Sequence, residues 1–248
     1  MLKIKYLTIS TVFLCTLLPQ PAFSNNQTPK DLHKDELGFF DIHYCNWPDR
    51  NPFLMLVYAT HHYNNLDSIK VLTPEGIELG EISQNTYRYL PAKTVKGKNI
   101  PDKKVFITQI PFTKSMTKGT FTAVATTHSG QKHQYKDDVD MDYIIASATI
   151  NYPADKAVDI ALTPTLKWES VDHAQYYQVF IKDNWTGKNV YSSKTLDQTQ
   201  LTLPKEILKK DGWYAWKVHA KDMDETIKYG DFNAGSLSKT ITFTTIAD

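Results

Sequence analysis

The 248-residue chain balances 28 Lys and Arg against 27 Asp and Glu, a formal net charge of +1, which excludes any global attraction to nucleic acid or acidic lipid. Two cysteines, Cys15 and Cys45, exclude a disulfide-rich scaffold and a cysteine-built zinc site. Length sets room for two domains of about 100 residues each.

At the start, Lys3 and Lys5 precede an apolar run from Tyr6 to Leu18, and Ala22-Phe23-Ser24 follows. A basic start, a short apolar middle and small residues before a cut predict a secretory signal peptide over 1–24, with the mature chain beginning at Asn25. The run is too short to span a bilayer. Leu14 stands where a lipoprotein signal wants a small residue, which argues against an anchor on Cys15. The "KDEL" at Lys34 to Leu37 is internal and cannot act as a C-terminal retention address. Removing 24 of the 248 residues leaves 224, with Cys45 as the single thiol and a formal charge of about −1 once Lys3 and Lys5 are gone. No later segment is apolar enough to cross a membrane. The expected location is secreted or periplasmic.

Residues 25–36 are polar and aperiodic, a flexible lead-in. Strands are then predicted at "FFDIHYC" from Phe39, "FLMLVYAT" from Phe53, "SIKVLT" from Ser68, "IELGEI" from Ile77, "YRYL" from Tyr87, "KVFITQI" from Lys104 and "GTFTAVATT" from Gly119. A hairpin at "HSGQ" leads into "KHQYKDDVDMDYI". Many short strands at even spacing, broken by Pro, Gly, Asn and Asp, indicate an all-β sandwich rather than alternating β and α units. With "DSIKVLTPEG" and the Gly119 hairpin, the first half resembles bacterial immunoglobulin-like modules. The best helical candidate anywhere is the short "PKEILKKD" from Pro204.

In the second half, Leu166 and Trp168 share one side of a strand, as do Tyr177, Val179 and Ile181 on the next. Leu201 and Leu203, then Tyr214, Trp216, Val218 and Ala220, repeat the period-two pattern, and Phe243 closes the last strand. With Pro164 and Ala174, these positions resemble a fibronectin type III domain of the bacterial kind over nearly all of residues 147–248. The resemblance implies Trp168 as a core plug and Tyr214 as a tyrosine whose hydroxyl bonds nearby backbone. The expected fold is therefore all-β, two consecutive immunoglobulin-like Greek-key sandwiches at 37–145 and 146–248.

Linear enzyme signatures are missing, with no G-x-S-x-G, H-E-x-x-H, phosphate-binding Gly loop or C-x-x-C. His43 and Cys45 share a strand face and, with His61 or His62, make one candidate set for zinc or copper, against the reading of Cys45 as a small buried hydrophobe. In "KDDVDMDY", Asp138, Asp140 and Asp142 alternate with Val139, Met141 and Tyr143, so hard oxygen ligands gather on one side near the junction, a candidate Ca²⁺ site without the loop Gly or distant Glu of a helix-loop-helix site. Lys93, Lys96, Lys98, Lys103 and Lys104 form a charge run read as a solvated loop, lacking the aromatics that a nucleic-acid surface wants.

If Tyr177, Val179 and Ile181 point inward, Tyr176 and Phe180 point out; by the same alternation Trp213 and His219 leave the core that Tyr214 and Trp216 enter. The resemblance makes these strands neighbours, so Tyr176, Phe180, Trp213 and His219 are candidates for one outer aromatic patch, extended by Trp185 in the "DNWTG" turn and Tyr191 beyond it. Alternatively the first domain, or the loop around Tyr229 and Phe232, covers the patch. The function expected is a non-catalytic extracytoplasmic binding, adhesion or scaffold protein with a protein or glycan partner. The alternatives are a carbohydrate-binding accessory protein and a hydrolase with an unrecognised site in the first domain.

Overall fold

Period-two alternation presents one side of each strand to a facing sheet, and burial follows it strand by strand. The computed structural model describes residues 32–222 and 232–247; the expected signal peptide, Cys15, residues 25–31 of the lead-in and Tyr229 lie outside them. The described residues belong to one compact unit, Leu32–Asp248.

The first half runs β1 (Phe39–Asn46), β2 (Phe53–Thr60), β3 (Leu66–Leu72), β4 (Glu78–Glu81), β5 (Tyr87–Leu90), β6 (Lys93–Val95), β7 (Lys98–Ile100), β8 (Lys103–Pro111), β9 (Gly119–Thr127) and β10 (Lys132–Val139). Strands β1-β2-β8-β5 form one layer and β10-β9-β3-β4 the other, the order of an immunoglobulin-like Greek key. Phe40, Leu54, Leu56, Tyr58 and Phe106 from the first layer share a buried core with Ile69, Val71, Phe121 and Tyr135 from the second. Part of the lysine run folds into the β6–β7 hairpin, because Lys96 and Gly97 both take positive φ, as a two-residue hairpin turn requires. Lys93, Lys96 and Lys98 remain exposed on it.

The second half runs β11 (Ile150–Tyr152), β12 (Ala157–Ile160), β13 (Thr165–Trp168), β14 (Tyr176–Asp183), β15 (Asn189–Ser192), β16 (Gln200–Thr202), β17 (Trp213–Lys221), β18 (Ala234–Leu237) and β19 (Ile241–Thr245). Layer β11-β13-β16 opposes the layer built from β15, β14, β17 and β19, the strand order of a fibronectin type III-like sandwich. Leu166, Trp168 and Leu203 fill it from one side, and Tyr177, Val179, Ile181, Tyr214, Trp216, Val218 and Phe243 from the other. The Tyr214 hydroxyl accepts the Lys209 amide at 2.9 Å, the backbone bond expected of it.

The expected helix at Pro204 does not form. Glu206 and Asp211 adopt positive φ and the segment turns repeatedly while burying Leu208; so short a stretch gains too few bonds to offset helix nucleation. Among the described residues the helical element is a single 3-10 turn, Tyr63–Asn65, and no helix is long and apolar enough to cross a membrane.

One sheet passes through both sandwiches. β18 pairs with β17 on one side and runs parallel to β1 on the other, matching Tyr44 with Ala234, Cys45 with Gly235 and Asn46 with Ser236. The connecting segment is held by side chains: Asn46 Nδ2 donates to the Ile145 carbonyl at 2.9 Å, Ser236 Oγ to that of Ala146 at 2.7 Å, and Ser147 Oγ to that of Leu237 at 2.8 Å. Strand β1 is consequently buried on both faces. Its Cys45 thiol is pushed up to about 12 by burial and then by the Asp41 carboxylate, so it stays protonated and inert.

A buried hydroxyl chain ties the lead-in to the first core. Tyr58 Oη donates to Tyr135 Oη at 3.0 Å, and Tyr135 Oη to Asp35 Oδ1 at 2.5 Å. Burial alone would raise the Asp35 pKa, but bonds from Tyr135, His133 and the Gly38 and Leu37 amides outweigh it and hold the carboxyl below its ordinary 3.8. A depressed folded value means that the contribution is present above the unfolded pKa and lost as pH falls through the folded one. Tyr135→Phe is therefore expected to destabilise more at about pH 7 than at about pH 2, measured by urea midpoints; an equal loss at both would show that Asp35 is not the group responsible.

Candidate ligand groove

The outer face of the β14–β17 pair is set by register. Phe180 lies opposite Lys217, Gln178 opposite His219, and Lys182 opposite Ala215, and the facing residues Tyr177, Val179 and Ile181 are buried in the core. On this face a groove of about 900 Å³ is lined by Phe180, Lys182, Trp213, Lys217 and His219, together with Trp47, Asn184, Leu237, Thr240 and Thr242. That volume is near the upper end of ligand pockets, roughly 300–1,000 Å³. Trp213 is 39% exposed and meets Trp185, 72% exposed, edge to face at 5.4 Å. Trp185 is presented by the turn after β14, where Asp183 Oδ1 accepts the amides of Trp185 and Thr186.

Phe180, Trp213 and His219 are thus brought together, and Trp185 extends them. Tyr176 sits farther along β14, opposite Lys221, and is not among the lining residues. Tyr191 pairs with Ile181, so it shares the inward side and packs on the core. Trp47 joins the groove from the first sandwich, one residue past the Asn46–Ser236 pair. Its neighbours there are Phe53, edge-on at 5.0 Å, and the Arg50 guanidinium, 5.4 Å from its ring. The expectation that Phe232 covers the patch is met only at one end: its ring stands at 90° to His219, 5.0 Å away, and stacks on His43 at 3.9 Å. Burial first, then Lys221, His43 and Lys217, pushes the His219 pKa down to about 3. Its imidazole is neutral, and among the described residues Nε2 has no hydrogen-bond partner.

The three aspartates of the candidate Ca²⁺ site are exposed, and β10 ends at Val139 before the last two. Asp142 pairs with Lys118, Asp138 accepts from the Thr120 hydroxyl, and the Asp140 amide donates to Asn233 Oδ1 at 2.7 Å. Asp138 and Asp140 line a second cavity of about 620 Å³ with Lys118, Tyr143, Asp222 and Asn233; Asp142 does not. Among the described residues the His, Cys, Asp or Glu side chains that bring one ligand atom each within 4.8 Å of one another are His33, Asp41 and Asp137. Of the zinc or copper set, His43 Nε2 lies 3.2 Å from Asp41, and His61 Nδ1 bonds the Asp102 carbonyl at 2.7 Å.

No protein-family model matches the chain, and no curated protein matches it. Among solved structures it is similar to the tandem Ig repeats of Dlar, with a TM-score of 0.34 and 10% identity over 84% of this chain and 96% of that one. It is also similar to the FN1-FN3 domains of chicken CNTN1, with a TM-score of 0.33 and 12% identity over 83% of this chain and 66% of the other. A mutant Salmonella alpha-2-macroglobulin gives 0.27 and 10% identity, this chain spanning 16% of its length. The fold assignment rests on the strand order and pairing themselves.

Proposed function

We propose that this chain is a non-catalytic, extracytoplasmic binding protein of two β-sandwiches, and that the aromatic groove on β14 and β17 is its ligand site. One observation supports the reading above the others: Trp213 and Trp185 stay exposed as a contiguous pair beside a groove of about 900 Å³. Scattered exposed aromatics need no explanation, whereas a contiguous apolar patch marks an interface. The sheet beneath is fully paired and anchored in the core, so the rings are displayed on a rigid surface that loses little entropy on binding.

Pull-down from an extracytoplasmic fraction, combined with glycan arrays, tests this. Trp213→Ser and Phe180→Ser are expected to keep the far-ultraviolet circular dichroism and cooperative melting of the parent while losing at least about tenfold in affinity, about 1.4 kcal/mol and more than most interface residues cost when truncated. Unchanged binding by both folded variants would overturn the site. Turnover of a captured glycan or ester would overturn the non-catalytic assignment.

A further inference from the structure

Resting on that reading, we infer that the groove takes an acidic polysaccharide, its sugar rings stacking on Trp213 and Phe180 and its carboxylate or sulfate groups meeting Lys182 and Lys217. The charge pattern carries the inference. Both lysines line the groove, and among its described lining residues there is no Asp or Glu. Lys182 lies opposite Ala215 and Lys217 opposite Phe180, so the lysines are diagonal neighbours on one face, with Cα atoms roughly 7–8 Å apart. Two like charges so placed repel each other, and an anion between them relieves that repulsion. Nearby acids are already engaged: Asp183 accepts the Trp185 and Thr186 amides, and Asp155 accepts the amide and hydroxyl of Thr242.

A saccharide fits this face better than an acidic peptide does. Peptides commonly bind a sandwich by adding a strand to a sheet edge, where backbone groups are open. Here β14 is paired with β15 and β17, and β17 with β14, β18 and β19, so the floor offers side chains; the open edge is the four-residue β15, which reaches the groove through Asn189 alone. The groove lining also holds Asn184 and Thr240, whose amide and hydroxyl add donors and acceptors to the stacking rings, the combination that sugar rings and their hydroxyls require.

Isothermal titration of the mature chain with dextran sulfate and polygalacturonate, and with dextran as the neutral counterpart, tests the inference. Binding to at least one acidic polymer and not to dextran is expected. Affinity should fall with added salt, drop at least about tenfold in the double variant Lys182→Gln/Lys217→Gln, and be lost in Trp213→Ser. Trp213-dependent binding to dextran as tight as to the acidic polymers would overturn the charge argument and leave the groove standing. Binding that survives Trp213→Ser would remove the groove itself. Silence toward both acidic polymers, or capture of poly-glutamate in their place, would overturn the saccharide assignment.

Discussion

Trp216→Ala is expected to lower the unfolding free energy by about 3–5 kcal/mol, enough to remove a large part of a typical domain's stability. The side chain is 1% exposed and meets Trp168 edge to face at 6.5 Å, while Trp168 packs on Tyr177 at 5.7 Å. Its strand is paired along both sides, so the walls around the void have little freedom to collapse, and the cavity term stays large. Neither indole N–H has a hydrogen-bond partner among the described residues. Shape, not polarity, therefore holds the residue, and Trp216→Phe is expected to recover most of the loss. Urea unfolding followed by circular dichroism measures both variants; a loss below about 1 kcal/mol for the alanine would show that Trp216 is not a core plug.

The second large effect is expected at the seam between the sandwiches. Gly235 faces Cys45 across the parallel pair and Lys221 across the antiparallel one. A Cβ there would stand 2.7 Å from Phe232 Cε2 and 2.8 Å from His219 Nε2, so the requirement for glycine is space and not backbone angle. Overpacking costs typically about 1–3 kcal/mol. Gly235→Val should reach the upper part of that range, because two rings must move with the strand. Besides a lower urea midpoint, faster hydrogen exchange is expected at the amides of the β1–β18 pair, with β9 and β14 less affected. If the variant matches the parent within about 0.5 kcal/mol, the seam is looser than its packing indicates.

Local alternation made the two sandwiches legible. Tyr177, Val179 and Ile181, and Tyr214, Trp216 and Val218, announce their buried face through period two alone, and Phe180, Trp213 and His219 follow as its complement. What local pattern does not carry is register between distant strands. Tyr191 turns inward because it pairs with Ile181, a match set partly by the irregularity between Ile181 and Lys182. Trp47 reaches the groove because "AGSL" pairs with β1, and a strand of Ala, Gly and Ser has no hydrophobic period to announce it. Lys182 was within reach of the same alternation that found Phe180, since positions two apart share a face. The segment from Pro204 has helix-forming residues, yet the left-handed turns at Glu206 and Asp211 come from the need to bring Leu208 into the core, which is a tertiary demand.

The parallel pairing of β1 with β18 also decides how the molecule answers a pull. Tension between the chain ahead of β1 and the chain after β19 drags parallel neighbours lengthwise past one another. The evenly spaced bonds of a parallel ladder are then strained together, whereas strands peeled from one end give way one bond at a time. A second parallel pair, β12 with β19, continues along the same side of β17 that β18 occupies. Under traction along the chain the two pairs act as shear clamps in the first and last described strands, both on the side of β17 away from β14.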